Sequence, residues 1–134
     1  MKLPNFAWKL VEFQTDGTTE PVLENTNPTL IFTRDGTMAA KGGCNSLFAE
    51  VAFDGENQIS ISSPRSTYRS CDEPKGVMEQ DGKIFEYLLA AKFYVVEGNS
   101  LTLANSLKNG SELLRFDALQ TKNYEIVAVD DAKS

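Results

Sequence analysis

Short runs in which apolar and polar positions alternate fill most of this chain, and the period changes only once. Residues 8–13 read as a first strand, followed by a polar stretch over 14–28 that carries Gly17, Pro21 and Pro28 and reads as a long loop. Thr29, Leu30, Ile31, Phe32 and Thr33 are β-branched or aromatic at four of five positions and predict a second strand. Asp35-Gly36 then supplies a strong hairpin signal, and residues 37–40 return as a third strand. Gly42-Gly43-Cys44-Asn45 breaks the pattern. Beyond it Leu47, Ala49, Val51 and Phe53 all point one way, as in a strand with one buried face. Asp54-Gly55 predicts another turn, with residues 58–62 pairing back through Ile59 and Ile61.

After a polar loop over 63–76 the period becomes helical. Val77, Ile84, Leu88 and Ala91 share one side, Met78, Phe85 and Leu89 lie beside them, and Glu79, Lys83 and Glu86 occupy the opposite face. Gly82 weakens this helix by up to about 1 kcal/mol relative to alanine. Residues 93–96 resume strand character, Gly98-Asn99 and Asn109-Gly110 mark turns, and Leu101, Leu103 and 113–116 mark the returning strands. Repeated hairpins imply antiparallel pairing. The expected architecture is therefore α+β: a strongly curved antiparallel sheet or open barrel of about eight strands packed on one central helix. The domain is expected over 1–118, with 119–134 a C-terminal extension in which 124–129 form an extra strand before a frayed tail.

Composition narrows the function. At 134 residues the chain is one domain by size. With 41% hydrophobic and 24% charged residues it can bury a core, which argues against wholesale disorder. The net charge of −6 argues against nucleic acid as a partner, because such binding draws on Lys and Arg neutralising phosphates. There is no histidine; that removes the commonest general base and transition-metal ligand, so no catalytic, cofactor or metal site is expected. The acidic pairs Asp72-Glu73 and Asp130-Asp131 lack the spacing of a calcium loop. No apolar run is long enough for a transmembrane helix. The first residues lack the apolar stretch of a signal peptide, so the expectation is either a cytoplasmic protein or a chain whose leader has been removed.

Cys44 and Cys71 are the only cysteines. They form no CxxC pair, and the residues alone leave open a disulfide or two free thiols. Arg65 and Arg69 lie near Cys71, but Asp72 and Glu73 follow it, so a low-pKa redox thiol is not expected. An ordered series of short elements now resembles one family. Trp8-Lys9-Leu10, Leu30-Ile31-Phe32 with Asp35-Gly36, Gly43-Cys44-Asn45, Thr67-Tyr68-Arg69-Ser70-Cys71, Met78-Glu79, Phe85 to Leu89, Leu101-Thr102-Leu103 and Leu114-Arg115-Phe116 are together similar to the META (HslJ-like) domain, over roughly residues 6–118. Ala40 departs from it, standing where the family usually has glycine, which implies a different backbone or tighter curvature there. The resemblance implies a Cys44–Cys71 disulfide and, through it, an oxidising compartment such as the envelope or cell exterior. It also implies links to stress response in bacteria and to virulence in trypanosomatid parasites, and it supplies no catalytic residues.

The candidate motif residues receive structural roles first. Trp8 is expected as a core anchor; Gly42 and Gly43 are expected to permit positive φ or close backbone approach. Asn45 is expected to bridge backbone groups, and Thr67 and Arg69 belong to the same motif set. Tyr68, Phe93 and Tyr94 are candidates for a binding surface, since Phe93 and Tyr94 point to opposite faces of one strand. Two functions follow as expectations. The first is a non-enzymatic interaction domain with a protein partner, acting in the envelope or outside the cell. The second is a carrier of a small apolar, lipid-like ligand held between sheet and helix.

Overall fold

The computed structural model describes residues 7–15, 17–108 and 110–119. Among them, nine antiparallel strands and one helix follow in the order β1 (Ala7–Thr15), β2 (Thr18–Pro21), β3 (Thr29–Phe32), β4 (Thr37–Lys41), β5 (Ser46–Asp54), β6 (Gln58–Ser66), α1 (Val77–Ala90), β7 (Phe93–Glu97), β8 (Ser100–Ala104) and β9 (Glu112–Ala118). The strands form one sheet in the order β2-β1-β3-β4-β5-β6-β7-β8-β9, and β1 also pairs with β9, so the sheet curls into a ring. This is the α+β, mostly sheet architecture that alternation and the single helical stretch predict. The proposed strand at 124–129 and its tail lie outside the described residues.

Alternation explains the register. Leu30, Ala40 and Leu47 are consecutive partners across β3, β4 and β5, and all three are buried. Ala40 thus continues a regular inward row. Trp8, Leu10 and Phe13 of β1 face the same interior, joined by Leu101, Leu103, Leu114 and Phe116 from β8 and β9. Each such side chain contributes about 1.5–3 kcal/mol on burial. The ring is thinnest between β6 and β7, which share the single pair Gln58 and Phe93. Helix α1 packs against β6 and β9, sending Ile84 and Leu88 into the core.

Two strand boundaries differ from expectation. β2 falls inside the stretch read as loop: Thr18, Thr19, Glu20 and Pro21 are all exposed, so no buried face marks them, and the backbone ladder to β1 makes the strand. β6 continues to Ser66 because its register with β5 shifts between Phe48 and Glu50, where Ser63 takes φ 54° ahead of Pro64. This bulge interrupts the alternation that would have revealed the strand.

Helix α1 begins where Gly76 turns left-handed at φ 89° and ends before the extended Ala91. Its buried face is Val77, Gln80, Asp81, Ile84 and Leu88, whereas Met78 and Leu89 are exposed. The stripe is therefore narrower than its apolar residues suggested, and two of its five positions are polar.

Candidate functional site

The clasp at the helix N-terminus

Those two polar residues organise a dense cluster of hydrogen bonds. Asp81 is 3% exposed, and its carboxylate accepts the backbone N–H groups of Gly43 at 2.7 Å, Cys44 at 3.2 Å and Asn45 at 2.7 Å. Gln80 accepts the Leu23 N–H at 2.8 Å and donates to the Thr26 hydroxyl at 3.2 Å, which in turn donates to the Leu23 carbonyl. One turn of helix thus holds two separate loops. All of these donors and acceptors are matched, which is what permits such groups to be buried.

The glycine pair exists for closeness rather than for unusual dihedrals. A Cβ on Gly42 would sit 2.1 Å from an Asp81 carboxylate oxygen, and one on Gly43 would sit 2.4 Å from a Val77 methyl. Neither glycine has positive φ. Side chains there would push the loop off the helix and break the carboxylate cradle.

Asn45 carries the bonding outward. Its side-chain oxygen accepts the Arg69 N–H at 2.7 Å and the Thr67 hydroxyl at 2.8 Å, while its amide donates to the Arg69 carbonyl at 3.0 Å. Thr67 also exchanges bonds with the backbone of Ser46. Cys44 and Cys71, 27 positions apart in sequence, form a disulfide. Segment 67–71 is therefore fixed at Thr67, Arg69 and Cys71. Tyr68, between two of these anchors, is 91% exposed.

The structure distributes the aromatic candidates differently from a single surface. Tyr94 is 3% exposed and stacks edge-on with Phe53 at 5.2 Å inside the core, so it belongs to no surface. Phe93 is half-buried at the β6–β7 seam, paired with Gln58, whereas Tyr68 follows the opposite end of β6. Of the three, Tyr68 alone is fully displayed. Burial raises the Tyr94 phenol above its ordinary pKa, and its hydroxyl has no partner among the described residues. Trp8 is 0% exposed, which makes it a core residue.

Sequence reasoning missed Gln80 and Asp81. The signal was present: both fall at helical spacing from Val77, on the face that Ile84 and Leu88 define. Polar residues inside an apolar stripe mark buried hydrogen bonding. Exposed Phe48 was missed as well. It lies on the outer face of β5 opposite Arg65, at 40% exposure.

Among the solved structures that share the fold are two from bacteria. A protein from Burkholderia xenovorans, determined by NMR, matches with a TM-score of 0.67 at 20% identity, over 84% of this chain and 81% of its own. A crystal structure of a DUF4847 family protein from Bacteroides vulgatus ATCC 8482 matches with a TM-score of 0.60 at 17% identity, over 84% of this chain and 92% of its own. No curated protein matches the sequence. The META domain model matches residues 1–131, which include the clasp and every strand around it. On that match the chain belongs to the META domain family.

Proposed function

We propose that the protein is a non-enzymatic interaction module that works in an oxidising compartment, at the cell envelope or outside the cell, and meets a protein partner through segment 67–71. The observation that carries this reading is the display of Tyr68, 91% exposed while its neighbours on both sides are held by Asn45. An exposed aromatic is an efficient anchor for a partner, and a backbone already fixed loses little freedom on binding. The disulfide supports the compartment, since such bonds persist where thiols are not kept reduced. The interior supports an interaction role over a carrier role: Ile84 and Leu88 of the helix are buried in one apolar core together with Trp8, Leu103 and Leu114.

Affinity capture from the native source, with wild type and Tyr68→Ala compared side by side, tests the reading. The expected result is a partner retained by the wild type and lost by the variant, whose circular dichroism stays unchanged. Equal capture by both would reject segment 67–71 as the contact surface. Thiol alkylation before extraction, followed by mass measurement, tests the compartment: modification of Cys44 and Cys71 without prior reduction would reject it.

A further inference from the structure

We infer that the outer face of β3, β4 and β5 docks an acidic segment of the partner, one that carries an apolar or aromatic anchor. This deepens the interaction reading and rests on it. The register sets two adjacent rows on this face. In the first, Ile31, Ala39, Phe48 and Arg65 are successive partners across four strands. In the second, Lys9, Thr29, Lys41 and Ser46 are successive partners. Ile31 is 42% and Phe48 40% exposed, so the middle of the first row is an apolar strip open to solvent. Strand spacing makes the distance from Ile31 to Phe48 about 10 Å, and that between the rows about 7 Å.

Charge decides what fits. Lys9, Lys41 and Arg65 border the strip, all three exposed and none in a side-chain ion pair with a described residue, although Lys9 stands opposite Asp117 in the β1–β9 ladder. Arg69 stands on the adjoining clasped segment, also exposed. Two acids share this face. Glu50 lies in the row next to the apolar one, on the side away from Lys41 and between Thr37 and Ser62, and Asp117, opposite Lys9, is paired with Arg115 at 3.1 Å. A chain of net charge −6 thus places cations along one side and at one end of an exposed apolar strip. An apolar centre with a charged rim is the anatomy of a protein-binding patch. The cations select carboxylates, and the strip between Ile31 and Phe48 receives one or two apolar side chains. An anionic bilayer is the poorer occupant, because the strip is narrow and the rest of the molecule carries the same sign as the lipid.

Fluorescence anisotropy with three labelled peptides tests this: repeating Glu-Tyr-Glu-Leu, its Gln-for-Glu analogue and its Lys-for-Glu analogue. The acidic peptide is expected to bind at least about tenfold more tightly than the neutral one at low salt, with the preference shrinking as salt rises. Lys41→Glu and Arg65→Glu are each expected to raise its Kd about fivefold or more. Phe48→Ala is expected to weaken binding at low and high salt alike. Lys108→Glu, on the turn between β8 and β9, is expected to leave it unchanged. Equal affinity for the acidic and neutral peptides overturns the proposal. So does an equal effect of Lys108→Glu, or tighter binding to phosphatidylglycerol vesicles than to the acidic peptide. If partner capture is lost with Tyr68→Ala but survives Lys41→Glu and Arg65→Glu, the acidic-segment proposal falls while the interaction reading stands.

Discussion

Replacing Asp81 by asparagine isolates the electrostatics of the clasp from its shape. One carboxylate oxygen accepts the Gly43 N–H, and the other accepts those of Cys44 and Asn45. An asparagine turned to keep its oxygen toward Cys44 and Asn45 sets an amide N–H₂ against the Gly43 N–H, so one bond at 2.7 Å is lost. A hydrogen bond to a charged group contributes about 1.5–3 kcal/mol. The two surviving bonds fall to neutral strength, roughly half. The expected loss is about 3 kcal/mol, and more for Asp81→Ala, which leaves all three donors without an acceptor. Equilibrium urea unfolding with the disulfide intact measures it, with an unchanged m-value showing that the unfolded reference has not moved. Glu79→Gln, on the exposed side of the same turn, is the control and is expected within about 0.5 kcal/mol of wild type. Amide exchange at Gly43 and Asn45 is expected to accelerate well before that of the core strands. A cost below about 1 kcal/mol for Asp81→Asn would show that the three bonds are dispensable and that the loop is held by something else.

Four further outcomes follow from the structure. Gly43→Ala is expected to destabilise by about 1–3 kcal/mol, because the new methyl meets Val77 and Thr26. Gly82→Ala, whose methyl meets nothing within 4 Å, is expected to stabilise by about 0.5–1 kcal/mol; thermal melts of the pair read both signs. Removing the disulfide as Cys44→Ser with Cys71→Ser is expected to cost about 3–4 kcal/mol, as its loop length implies, yet to leave a cooperatively folded protein because Asn45 still holds Arg69; an unfolded circular dichroism spectrum would contradict this. Tyr94 has its folded pKa raised above its unfolded value near 10.0, so its contribution is fully present below that pH and is lost as pH rises through the folded pKa. Tyr94→Phe is expected to flatten that alkaline loss and to be neutral or stabilising at neutral pH, since it removes an unpaired buried hydroxyl; identical alkaline unfolding of both proteins would refute it.

Most of the sheet was legible because one face of each long strand is buried. The stretch read at 47–53 corresponds to β5 over Ser46–Asp54, and that read at 29–33 to β3 over Thr29–Phe32. β2 was illegible for the same physical reason in reverse: with all four side chains exposed, its pairing rests on backbone hydrogen bonds that carry no side-chain signature. Closure of the ring was beyond local pattern too. The β1–β9 ladder joins Trp8 to Ala118 and Phe13 to Leu114, and nothing in either stretch identifies the other as its partner. Periodicity reports which face of a strand is buried; it does not report which strand lies alongside.

The clasp was half legible, and the missing half changes its meaning. Gly42, Gly43, Asn45, Thr67, Arg69 and the two cysteines stood out as a motif of small, polar and sulfur-bearing residues, the kind of set that often marks chemistry. Without Asp81 and Gln80 such a motif has no visible reason for its spacing. With them, each member has a backbone to hold or a surface to clear. The glycines let the loop touch the helix. Asp81 gathers the loop's N–H groups, and Asn45 passes the hold on to segment 67–71. The polar side chains bonded within the clasp are thereby spent on structure. Tyr68 and the strip on the neighbouring strands do face solvent, and the proposed contact uses what the clasp holds out. The two substitutions Asp81→Asn and Tyr68→Ala separate these roles: the first is expected to lower stability and loosen the display, the second to leave stability intact and remove the contact. Loss of partner binding by both, with only Asp81→Asn moving the urea midpoint, is the pattern expected of a rigid mount and the residue it presents.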